Sequence, residues 1–196
     1  HWFSTIFGFI FVAAQGLTAF ALTVVVLSRL TDVPPYRAFL NTRHFLDLGK
    51  LLLAFVMLWA YFSFSQFLII WSGNLPEEIP FFYERLRGGW QYVSLAILLG
   101  HFAVPFALLL SRDLKRRPRL LASVALVILI FRFVDLVWLV EPSAGLHRFP
   151  LHWMDLAVPA GLVGLWFFLF ARQLRARPLL PQNDPYFKEA FAHDIH

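Results

Sequence analysis

Five apolar runs, each close to the length a helix needs to cross a bilayer, decide what this chain can fold into. They cover roughly residues 2–27, 48–71, 92–110, 120–140 and 153–171. About 20 helical residues span the ~30 Å hydrocarbon core, and backbone entering it must satisfy its hydrogen bonds within the segment. With 59% hydrophobic and 15% charged residues, the chain has too little polar side chain to cover a water-soluble surface. The expectation is an all-α integral membrane fold of five transmembrane helices, the last four forming a helical bundle. Residues 1–28 read as the first transmembrane helix and 29–172 as a four-helix membrane bundle with an outer loop at 72–90. Residues 173–196 read as a cytoplasmic tail. The chain starts at His1 with no basic flank and no small-residue cleavage site after the first run. It therefore reads as a mature or truncated chain rather than one carrying a cleavable leader.

Charge alternates between the connecting segments. Arg29, Arg37, Arg43 and Lys50 face Asp32 and Asp47 in one; Arg112, Lys115, Arg116, Arg117 and Arg119 face Asp113 in another; Arg172, Arg175 and Arg177 follow the fifth run. The other two segments are acidic or balanced, with Glu77, Glu78 and Glu84 against Arg85 and Arg87, then Glu141 against Arg148. Lys and Arg stay cytoplasmic, so the start of the chain is expected outside and its end inside. The net charge of +5 is thus a topology signal and not a nucleic-acid footprint. Trp2, Trp71, Trp90, Trp138 and Trp153 fall at the expected outer boundary, as in an interfacial girdle that anchors the protein to lipid. In the outer loop, Pro76 followed by Glu77 and Glu78 predicts a short helix start, and Gly88-Gly89 its end. Pro34-Pro35 predicts a turn in the first inner segment. The absence of cysteine excludes disulfides, Cys-ligated iron–sulfur clusters and covalent c-type haem in this chain.

Ionisable groups at membrane depth are costly and mark a path, a pocket or a buried pair. On the second run, Asp47, Lys50, Tyr61 and Ser65 fall within about 60° at 100° per residue. That stripe reads either as a proton-conducting half-path or as an interfacial ion pair followed by interhelical hydrogen bonds. On the fourth run, Arg132 and Asp135 share a face. They are a packing ion pair, or a proton acceptor held ionised by its arginine. His101 lies about 14 Å below Tyr92, near mid-membrane. Pro105, four residues on, cannot donate to the His101 carbonyl, which predicts a kinked, locally hydrated spot. His101 has no second histidine at matching depth, since His44 and His152 lie at opposite boundaries, so it reads as a bundle residue before a haem ligand. Asp155 near the start of the fifth run reads as a capping acid, and Ala157, Ala160, Gly161 and Gly164 as a small-residue packing face. No metal-ligand spacing, phosphate loop or nucleophile–base pair is present in the sequence.

Several chained motifs resemble a known family. They are Asp47-Leu-Gly-Lys50, the run from Phe55 to Gln66, Trp71-Ser-Gly-Asn-Leu-Pro-Glu-Glu78, Arg87-Gly-Gly-Trp90, His101-Phe-Ala-Val-Pro-Phe106 and Ser111-Arg-Asp-Leu-Lys-Arg116. Together they resemble the F-type membrane subunit of alternative complex III, a bacterial quinol:cytochrome c oxidoreductase. The likeness runs from Asp47 onward and extends distantly to the polysulfide-reductase type of membrane subunit. The resemblance implies a helical-bundle subunit of an oxidoreductase complex that has no redox centre of its own and binds no cofactor. It would lie beside other membrane subunits and beneath an extracytoplasmic iron–sulfur protein and multihaem cytochromes. Haem c and iron–sulfur clusters would belong to those partners, with quinol or quinone nearby. It also implies that Asp47, His101 and Asp135 belong to a proton pathway, which Lys50 and Arg132 fit by position. Asn74, Glu77, Glu78 and Arg87 form the outer loop expected to dock the redox subunits. A full F-type subunit has more helices ahead of the position of His1. The expected function is structural and proton-conducting support of quinol oxidation in a respiratory chain. The rivals are half of an ion-coupled transporter, for which no inverted repeat is found, and a b-type haem anchor.

Overall fold

The computed structural model describes residues 6–34, 36–38, 40–142 and 153–176. The described residues are helices and connecting turns, and five helices are long and apolar enough to cross a membrane. The chain is an all-α, multi-pass membrane protein. Helix α1 (Phe7–Leu30) leads through a turn containing a short 3-10 segment, Tyr36–Ala38, into α2 (Thr42–Gly73). A short α3 (Pro80–Arg85) precedes α4 (Trp90–Ile97), a π-helical turn (Leu98–Ala103) and α5 (Val104–Leu110), which run on as one spanning helix. Then come a single turn, α6 (Arg112–Lys115), and α7 (Pro118–Val140). Helix α8 (Trp153–Arg175) lies in a second compact unit, residues 150–196.

The first compact unit holds four spanning helices, and α1 packs along both α2 and α7. Within this unit α1, α2, the α4–α5 helix and α7 pack as one bundle. Periodicity explains the grouping. The buried residues of α1 recur at Ile10, Ala14, Leu17, Ala21, Val24 and Ser28, and those of α2 at Phe45, Gly49, Leu52, Val56 and Trp59. On α7 the same spacing joins buried Leu121, Ala125, Ile128, Arg132 and Asp135, with Val124 buried beside them. All three series alternate steps of four and three, the spacing of a straight seam between nearly parallel helices. In lipid no hydrophobic gain drives such helices together, so close approach at small residues must do it. The ring of Phe55 fills the space over Gly16, that of Phe131 the space over Gly100, and the Lys115 stem the space over Gly49.

Helix ends explain the loops. Asn41 caps α2: its side chain accepts from the Arg43 and His44 amides at 2.8 and 3.1 Å, and His44 Nδ1 accepts from the Asn41 amide at 3.2 Å. Asn74 closes α2 in the left-handed region, with φ 46° and its amide on the Ile70 carbonyl at 3.0 Å. The outer helix begins one turn later than the acidic pair predicted. Residues 76–79 form a turn, and Pro80 takes the first helical position because it needs no amide partner there. Gly88 and Gly89, at φ 64° and 99°, reverse the chain into α4 as expected.

Trp90 is fully buried at this end, so it is a packing residue and not part of an interfacial girdle. Trp2, Arg148, His152 and Arg177 lie outside the described residues, as do 177–196 of the expected tail.

Candidate functional site

One group of polar side chains sits inside the bundle, built by three elements. On α7, Arg132 Nη1 donates to the Asp135 carboxylate one turn later, and both side chains are about 95% enclosed. The sequence predicts this pair, and its place on the α7 seam aims it into the protein. On the π-helical turn, His101 is fully buried. Its ring meets that of Trp59 on α2 edge to face, with 4.4 Å between centroids. Helix α1 closes the group from the fourth side, with the Phe11 ring 5.6 Å from the Arg132 guanidinium.

The π-helical turn explains how His101 gets there. The amide of Val104 pairs with the Leu99 carbonyl five residues back, so the helix absorbs Pro105 by shifting register instead of breaking. The expected kink is thus a widened turn. That turn also lets Ile97, His101, Pro105 and Leu109, spaced by four, all be buried.

Within this group Trp59 Nε1, His101 Nδ1, His101 Nε2 and Arg132 Nη2 are buried and have no hydrogen-bond partner among the described residues. The Ile128 carbonyl lies close to the imidazole without meeting hydrogen-bond geometry. An unmet buried polar group costs roughly 1–3 kcal/mol, and more when charged. Four such atoms around one ion pair are a costly arrangement for packing alone. Orphaned polar groups gathered in this way are the setting in which proteins bind internal water or pass protons.

The α2 stripe does not join them. Asp47 and Lys50 form their ion pair at 2.7 Å, with both side chains more than half exposed; Tyr61 is exposed and Ser65 half-buried. Helix α2 turns its Gly49–Leu52–Val56–Trp59 face inward, which points the stripe out of the bundle. Of the two readings of this stripe, the exposed Asp47–Lys50 contact matches the ion pair. Sequence reasoning missed Trp59, whose signal was its place on the same four-three spacing as Phe45 and Gly49. His44 is exposed at the capping turn of α2, far along the helix from Trp59 and His101, so these two histidines do not form a ligand pair. Among the described residues no three metal-ligating side chains come together.

The outer loop holds a second missed residue. Arg85 is fully buried and donates through Nε to the Trp138 carbonyl at 3.1 Å, through Nη1 to that of Phe81 at 2.7 Å and through Nη2 to that of Leu139 at 2.8 Å. Its guanidinium lies 3.5 Å from the Phe81 ring centre. It thereby caps the carbonyl end of α7, where the helix dipole favours a cation. Burial pulls its pKa down to about 10, so it stays charged at neutral pH. The Trp138 indole donates to Ser94 Oγ at 2.7 Å and ties α7 to α4. Asn74, Glu77 and Arg87 are exposed, Glu78 is half-buried, and Arg87 lies over the Tyr83 ring at 5.6 Å.

No protein-family model matches this chain, and no curated protein matches it.

Proposed function

We propose that this chain is a membrane subunit of a respiratory quinol:cytochrome c oxidoreductase, in which His101, Arg132 and Asp135 handle protons while partner subunits carry electrons. The observation that carries the reading is the enclosed ion pair beside a histidine neither of whose ring nitrogens meets hydrogen-bond geometry among the described residues. The chained motifs from Asp47 to Arg116 supply the class of complex, by their resemblance to the F-type subunit of alternative complex III. In this reading Asp135 takes up and releases a proton, Arg132 sets how readily it does so, and His101 passes protons to and from it. Exposed Asn74, Glu77 and Arg87, with half-buried Glu78, form the surface on which extracytoplasmic iron–sulfur and multihaem subunits rest. The outward α2 stripe of Asp47, Lys50 and Tyr61 faces a neighbouring membrane subunit or lipid.

The test uses the complex purified with its partners and placed in proteoliposomes. Asp135→Asn and His101→Leu are expected to leave assembly intact while lowering quinol turnover or the protons released per quinol. Unchanged turnover and unchanged proton yield in both variants would overturn the proton role. Isolation of the chain without cytochrome or iron–sulfur partners would overturn the respiratory assignment.

A further inference from the structure

At the arginine-rich end of the bundle, a cavity of about 340 Å³ opens between α2 and the segment after α6. It falls at the small end of ligand-pocket sizes, roughly 300–1,000 Å³. Its lining is Thr42, Arg43 and Leu46 from α2 and Arg116 from the turn that follows α6. Both arginines are exposed, and neither makes an ion pair among the described residues. Asp47, one turn along α2, offsets part of the Arg43 charge, and its hydrogen bond goes to Lys50. Lys50 is already matched by Asp47, whereas Arg112 and Lys115 stand on α6 with Asp113 as the acid between them. Lys115 is itself 94% buried, its stem laid over Gly49. Burial first, then Lys50 and Arg112, hold its ammonium below the usual lysine range.

The geometry of the lining narrows the ligand. Asn41 already accepts from the Arg43 and His44 amides, so an anion here must be held by side chains and not by the helix end. The two exposed arginines border the same cavity, and guanidinium groups suit the paired oxygens of a phosphate. The cavity also lies about one turn before the apolar run of α2, and Leu46 provides an apolar wall toward that run. Basic pockets between spanning helices are where anionic headgroups bind.

We propose that Thr42, Arg43, Leu46 and Arg116 form a phosphate site that holds the headgroup of an anionic phospholipid. The full chain would be placed in phosphatidylcholine nanodiscs containing a minority of phosphatidylglycerol, then released in mild detergent, and the retained lipids identified by native mass spectrometry. The expected result is retention of phosphatidylglycerol in preference to phosphatidylcholine. The R43Q/R116Q variant should lose that preference by roughly tenfold or more, the weight of two interfacial charges. Arg119→Gln, at the same end but paired with Asp32 at 3.3 Å, should keep it. Millimolar inorganic phosphate should not displace the lipid. No preference in the unaltered chain, or an equal loss in Arg119→Gln, would overturn the site. Displacement by inorganic phosphate would overturn the lipid as its occupant.

Discussion

The imidazole of His101 meets the indole of Trp59 edge to face at 4.4 Å, and neither ring's polar nitrogens are hydrogen-bonded among the described residues. Two aromatic rings from different helices thus present unpaired N–H and N groups to the same interior spot that holds the Arg132–Asp135 pair. A bundle held by packing alone gains nothing from such atoms, since leucine would fill the space without orphaned groups. The arrangement fits a site kept for what it does, with stability given up to keep it.

The ion pair allows a direct test of that view. Arg132→Met alone strands a buried carboxylate and is expected to cost about 3–5 kcal/mol, whereas Arg132→Met with Asp135→Leu is expected to be near neutral. Unfolding in mild detergent measures both. A double variant as unstable as the single one would mean that the pair is needed for packing.

Arg85 is expected to hold the outer end of the bundle together. Arg85→Met removes three hydrogen bonds and leaves the Trp138 and Leu139 carbonyls uncapped, at a cost of about 3 kcal/mol or more. Arg85→Lys keeps the charge but not the fork, and should recover about half. Amide exchange at 136–141 should rise in the same order. Because its folded pKa lies near 10, below the ordinary arginine value, the proton balance of this residue changes only above that pH. Its contribution should be flat from about pH 6 to 9.

Two glycines separate a rigid contact from a flexible one. A methyl group at Gly100 would run into the Phe131 ring, and Gly100→Ala is expected to cost about 1–3 kcal/mol. At Gly49 the methyl would meet Lys115 Cγ at 2.7 Å, on a stem that can swing aside, so Gly49→Ala should cost less than about 1 kcal/mol. Thermal unfolding of the two variants side by side gives the order.

Much of the architecture was legible from residue order. The five apolar runs match the spanning helices to within a few residues at most ends, and the Arg132–Asp135 pair follows from their separation of three. The Gly88-Gly89 reversal was legible because a positive φ favours glycine. The start of α3 was misread because two prolines compete for the same first position, and Pro80 prevails by leaving residues 76–79 to turn. Arg85 was illegible, since two of its three carbonyl partners lie more than fifty residues away on α7.

By itself, then, the order of residues determined the membrane class, the number of crossings and which polar groups share a helical face. It did not determine which faces look inward. Lipid is as apolar as the bundle interior, so these helices carry no strong amphipathic bias to set their rotation. That choice fell to close packing at Gly16, Gly49 and Gly100. Their contacts turned Trp59, His101, Arg132 and Asp135 toward one another and left Asp47, Lys50 and Tyr61 on the outside.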